Sequence, residues 1–155
     1  MPKIVGIDLG TSNSCMSVMR TGQAAIIPPA NDMQRRVTPS VVGYTDDGKI
    51  VVGNAARRQW MANPEFTFVG VKRLLGRRFD DPIVTQVAEL SPFDVAPGPN
   101  GEAMLVGRDN QLIAPEEVLL GDLLFESPTG AWERGIYALE IEHEGGTAAL
   151  PIELR

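Results

Sequence analysis

Short apolar runs separated by turn residues set the pattern of this chain. Ile4, Val5, Ile7 and Leu9 make a β-branched run that carries one carboxylate, Asp8, near its end. The run breaks at Gly10 into Thr11-Ser12-Asn13-Ser14, and a second apolar run follows from Cys15 to Met19. This predicts a strand, a tight turn and a returning strand. Ala24, Ala25, Ile26 and Ile27 add a third strand, stopped by Pro28-Pro29, so the first part reads as a three-stranded meander. The proline after Thr38 holds that residue extended at the entry to a strand with Val41 and Val42. Asp47-Gly48 then marks a hairpin turn.

Further along, residues 54–63 suit a helix that Pro64 ends, with Trp60 expected to pack rather than to contact a ligand. Val71, Leu74 and Leu75 recur at helical spacing, which leaves Lys72 and Arg73 off the apolar face. Residues 83–90 read as a short strand or a turn of helix, and Asn100-Gly101 and Asp109-Asn110 predict two more hairpins. Ala114-Pro115-Glu116-Glu117 predicts a helix start, with proline in the first turn and acids near the positive end of the dipole. Beyond it, Gly121, Pro128, Gly130 and Gly135 interrupt any long helix. Residues 136–143 alternate apolar and polar, Glu144-Gly145-Gly146 can turn, and residues 147–154 offer a partner strand. A terminal β-hairpin follows, with Tyr137, Leu139 and Ile141 on its apolar face. That face must pack on something, and the chain's own first sheet is the favoured surface over a second copy or a partner.

The first turn carries the candidate chemistry. Successive backbone N–H groups can converge there on an anion, Gly10 permits close approach, and the hydroxyls of Thr11 and Ser12 add donors. Asp8 can hold a hydrated magnesium ion through water, since that metal keeps most of its waters and takes one or two carboxylates plus substrate phosphates. The stretch thus reads as a phosphate cradle or as an ordinary hairpin with a polar turn. No Gly-x-x-x-x-Gly-Lys-Ser/Thr and no Gly-x-Gly-x-x-Gly opening a helix occurs, so a phosphate site here is of the hairpin type. Lys72, with Arg73, Arg77 and Arg78, reads by itself as a solvated basic face. Cys15 reads as a small buried hydrophobe, and the single histidine, His143, as a surface residue that makes neither a zinc site nor a triad.

Composition narrows the partners. With 155 residues, 43% of them hydrophobic, the chain can bury a real core. A net charge of -6 argues against a nucleic-acid partner, which rewards clustered Lys and Arg. One cysteine excludes an intramolecular disulfide, Met1-Pro2-Lys3 lacks the apolar core of a signal peptide, and no apolar run approaches the ~18 residues of a membrane span. A cytoplasmic protein without membrane contact is expected.

The run Ile7-Asp8-Leu9-Gly10-Thr11-Ser12-Asn13-Ser14-Cys15 resembles the first phosphate motif of the seventy-kilodalton heat-shock chaperones, the DnaK family. The stretch from Asn63-Pro64-Glu65 through Val71-Lys72-Arg73-Leu74-Leu75-Gly76-Arg77-Arg78 to Phe79-Asp80-Asp81-Pro82 is similar to that family's upper subdomain. With the stretch from Arg35 to Gly53 and the helix start at Ala114-Pro115, four motifs in order carry the resemblance over about the first 118 residues. It implies an α/β fold, part of an actin-like (ribonuclease H-like) ATPase lobe with β-hairpins and short helices, to which the C-terminal β-hairpin is added. It further implies residues 1–120 as the beginning of a nucleotide-binding lobe, with 1–38 as the phosphate-hairpin subdomain and 39–115 as the upper subdomain, and leaves 121–155 as an unassigned tail. ATP or ADP with Mg2+ is the implied cofactor, and nucleotide and chaperone or co-chaperone proteins are the implied partners. By the same resemblance Gly10, Thr11, Ser12 and Asn13 bind the phosphates, Asp8 holds magnesium through water, and Lys72 acts on the transferring phosphoryl group. The family usually has serine where Ala114 stands, so a helix cap is given up here. The second phosphate motif, the adenosine-binding segments and the peptide-binding domain are not recognisable. A truncated chaperone relative with weak or no ATPase is therefore expected; the alternatives are a non-catalytic interaction module derived from the chaperone, or a disrupted gene product.

Overall fold

A computed structural model of the chain describes residues 3–28, 34–122, 135–143 and 146–154. Pro29, Pro128, Gly130 and the Glu144-Gly145 turn lie outside these residues. The chain divides into two compact units, one of Met1–Thr38 with Phe125–Arg155 and one of Pro39–Leu124.

The first unit is a sheet. β1 (Lys3–Leu9), β2 (Asn13–Arg20) and β3 (Gln23–Ile27) form the antiparallel meander. The turn between β2 and β3 has two residues, Thr21 at φ 47° and Gly22 at φ 81°. Positive φ at both central positions suits the right-handed twist of the flanking strands. Along β2, Ser14 and Met16 are buried while Asn13 and Met19 face solvent, so one face of the meander is covered. Cys15 is half-buried, and its Sγ donates weakly to the Arg36 carbonyl at 3.4 Å. Thr38 and Pro39 form the two-residue β4 at the boundary of the units.

The tail completes this sheet. β11 (Gly135–His143) and β12 (Gly146–Leu154) pair antiparallel as a hairpin, from Gly135↔Leu154 to His143↔Gly146. β11 in turn pairs with β1 in parallel, with Lys3↔Tyr137, Val5↔Leu139 and Gly6↔Glu140 opposite one another. The order is β12-β11-β1-β2-β3. The hairpin thus joins the first sheet edge-on, through backbone hydrogen bonds, where the sequence favoured packing of its apolar face on that sheet. Parallel neighbours need a long crossover, and here the whole of the second unit lies between them in sequence.

The second unit holds the larger described core. β5 (Val41–Tyr44) is the centre of a three-stranded sheet with β6 (Ile50–Val52) and β7 (Thr67–Val69). The β5–β6 turn closes through Gly48 N–H to the Thr45 carbonyl, with Gly48 at φ 76°. α1 (Asn54–Gln59) is shorter than the predicted 54–63. Its Gln59 Nε2 donates to Thr67 Oγ1 at 3.1 Å, and a Cβ at Gly43 would collide with the Gln59 amide, so α1 sits close over β5. Trp60 departs from expectation: it is 40% exposed rather than packed.

Residues 83–90 resolve as helix, α2 (Pro82–Leu90), capped by Asp81, whose side chain accepts from Ile83 N–H at 2.8 Å. β8 (Val95–Pro97), β9 (Ala103–Val106) and β10 (Leu112–Ile113) form a second three-stranded sheet, turning at Asn100-Gly101 and at Asp109-Asn110, where φ is 54° and 57°. α3 (Pro115–Asp122) continues through Gly121. Val42, Phe68, Leu74, Val84, Phe93, Leu105 and Val118 meet in one cluster. Phe68 is its hub, edge-on to Tyr44 at 5.8 Å and to Phe93 at 5.3 Å between ring centroids. Burial, then the charge of Glu117, raises the Tyr44 hydroxyl above its ordinary pKa.

Candidate functional site

Of the six predicted site residues, four lie on one turn of the first unit and a fifth, Asp8, lies just before it on β1. The last paired residues of the β1–β2 hairpin are Leu9 and Ser14, so Gly10, Thr11, Ser12 and Asn13 form a four-residue connection at the carboxyl end of β1. Asp8, Ser12 and Asn13 are exposed and Gly10 and Thr11 half-exposed, whereas Ser14 is 1% exposed. The polar groups that can meet a ligand are thus outside, and the hairpin is anchored by the buried serine behind them.

Gly10 is demanded by the turn itself. Its φ is not in the left-handed region, but a Cβ there would run into the Asn13 carbonyl oxygen. The turn closes so tightly that only a hydrogen fits, and such closure keeps its backbone N–H groups near one another. Because β1 and β11 run parallel, the carboxyl ends of both strands fall at the same end of the sheet as this turn. In α/β sheets ligands collect outside the carboxyl ends of parallel strands.

Lys72 belongs to the second unit. Gly70, at φ 68°, turns the chain into a 3₁₀ helix over Val71–Leu74. Three residues per turn put Val71 and Leu74 on one side, where both are buried, and leave Lys72 and Arg73 exposed. The predicted separation of cations from the apolar face holds, with a tighter helix than the α-spacing implied. Arg77 beyond it donates through Nε to the Arg73 carbonyl at 2.9 Å and through Nη1 to Asp81 Oδ2 at 2.8 Å. The Ile83 N–H first, and the Arg77 guanidinium second, hold the Asp81 carboxyl below its usual range.

Hydrated magnesium fits the donors that are present. An exposed carboxylate beside a turn of amides and hydroxyls offers one hard oxygen site and leaves the remaining positions to water and phosphate. Among the described residues no group of three or more His, Cys, Asp or Glu could cage a metal. No helix among the described residues is long and apolar enough to cross a membrane.

Sequence reasoning passed over Arg108. Its Nη2 pairs with Asp46 Oδ1 at 2.6 Å and its guanidinium carbon lies 4.2 Å from the centre of the Phe66 ring. One side chain thereby ties the β5–β6 turn, the approach to β7 and the β9–β10 turn. Nothing local in the sequence announces a partner 62 positions away.

A family model described as Hsp70 protein matches residues 4–124. The match spans the phosphate turn, the Lys72 segment and every element of the second unit, and the mixed α/β architecture is that of part of an actin-like ATPase lobe. The chain belongs to the Hsp70 family.

Proposed function

We propose that the chain binds a nucleotide by its phosphates on the β1–β2 turn, and that by itself it hydrolyses ATP weakly or not at all. The observation that carries this reading is the closure of Gly10 onto Asn13 at the carboxyl end of β1, with Asp8, Thr11, Ser12 and Asn13 at the surface around it. The amides of residues 10–13 and the hydroxyls of Thr11 and Ser12 donate to β- and γ-phosphate oxygens. Asp8 accepts hydrogen bonds from the waters of a magnesium ion, which when bound supplies charge neutralisation to the phosphates. The Lys72 ammonium serves to offset charge developing on a transferring phosphoryl group, an electrostatic role that requires no proton transfer. The match to the family over residues 4–124 supports nucleotide binding in general terms. The DnaK-type motif at residues 7–15 supports a chaperone relative.

A few phosphate contacts, set against the ordering cost of binding, support an affinity near 1 mM, about -4 kcal/mol. Isothermal titration with ATP and magnesium should therefore show binding no tighter than millimolar. Micromolar, magnesium-dependent binding by the monomer would show that the chain contacts much more than phosphate.

A further inference from the structure

The exposed side of α1 and of the turn that follows it is basic and apolar at once. Ala56 and Gln59 on α1, and Asn63 after the turn that follows it, face the sheet: Ala56 is fully buried, Gln59 bonds Thr67, and Asn63 Nδ2 donates to the Tyr44 carbonyl at 2.9 Å. Arg57 and Arg58 on α1, and Trp60 and Met61 at its C-terminal end and in the turn after it, are exposed. Met61 is 95% exposed, and both arginines are exposed. Neither guanidinium has an ion pair or side-chain hydrogen bond among the described residues. No acidic residue occurs between Asp47 and Glu65, in a chain whose acids outnumber its bases 20 to 14.

Exposed Trp, Met and Arg together are the residue types that concentrate binding energy at protein interfaces. A guanidinium fork matches a carboxylate in a bidentate pair, and being weakly hydrated it gives up its water readily. We propose that this face docks an acidic amphipathic segment of a partner protein. Its carboxylates pair with Arg57 and Arg58, and its apolar side chains cover Trp60 and Met61. An anionic membrane is a poorer fit, because two cations on a six-residue helix contribute only about 1 kcal/mol each near such a surface. The proposal goes beyond nucleotide binding and does not depend on it.

The test uses the whole chain and a fluorescein-labelled helical peptide of repeated Glu-Leu-Leu-Glu, with a Lys-Leu-Leu-Lys peptide as control. Anisotropy should show micromolar binding of the acidic peptide alone. Arg57→Glu with Arg58→Glu, and separately Met61→Ser, should each weaken it by about tenfold or more, with melting temperatures unchanged because these side chains are exposed. The proposal is overturned if the acidic peptide does not bind, if the basic peptide binds as well, or if the variants keep the parent affinity. It is also overturned if sedimentation reveals a dimer that Met61→Ser dissolves, since a second copy is then the occupant. Equal dependence on the two arginines for binding to phosphatidylserine vesicles would assign the face to a membrane instead.

Discussion

Gly10 shows how one residue can be required for a local steric reason and still shape a site. With its missing Cβ directed at the Asn13 carbonyl, Gly10→Ala must open the turn, at a cost of about 1–3 kcal/mol if it behaves as an overpacked position. Amide shifts of residues 10–13 on adding ATP and magnesium, measured by NMR, should vanish in this variant; shifts like the parent's would place the phosphate elsewhere. Lys72 has a different kind of test. With hydrolysis expected at background, Lys72→Ala should leave steady-state phosphate release unchanged, and turnover that disappears in the variant would reveal a working catalytic site. At Asp81 the carboxylate is held by Ile83 N–H and Arg77, so its folded pKa lies below the unfolded value. The stabilisation is then complete above about pH 4 and is lost as the pH falls through the lower, folded value. Asp81→Asn should flatten the acid limb of the melting-temperature profile, and a limb as steep as the parent's would deny Asp81 that role.

Single elements follow local chemistry closely. The turns at Asp47-Gly48, Asn100-Gly101 and Asp109-Asn110 were legible because those residue types tolerate the positive φ the turns use, 76° at Gly48, 82° at Gly101 and 54° and 57° at Asp109 and Asn110. Less legible was the kind of helix around Lys72, since buried positions three apart suit both a 3₁₀ and an α turn. Packing chose the tighter form, with Val71 and Leu74 entering the cluster around Phe68. Leu74 is fully buried, and Leu74→Ala should cost about 2–5 kcal/mol in denaturant unfolding. α3 starts after Ala114, whose carbonyl accepts from Glu117 N–H at 3.0 Å but whose side chain caps nothing. Ala114→Ser should raise stability by about 1 kcal/mol; no gain would mean that the start of α3 is held by packing alone.

At the scale of the molecule, the sheet of the first unit depends on a strand far from the others in sequence. β11 lies between β1 and β12, so its N–H groups serve both neighbours. Leu139→Pro removes one of them from a central strand, at the position opposite Val5 and Leu150. This change should lower the melting temperature or cause aggregation nearly as much as deleting residues 131–155, because either exposes the edge of β1. If both variants melt like the parent and stay monomeric, the tail is a tethered appendage. The sequence by itself determined the meander, the four hairpins, the start of α3 and the polar turn after Asp8, for these rest on period and turn or first-turn residues within a few positions. Tertiary structure alone decided that β11 runs parallel to β1, that Arg108 reaches Asp46 and Phe66, and that Trp60 and Met61, just after α1, stay exposed. Each of those outcomes depends on which surfaces meet after the chain has crossed tens of residues, and no local pattern encodes the winner of that competition.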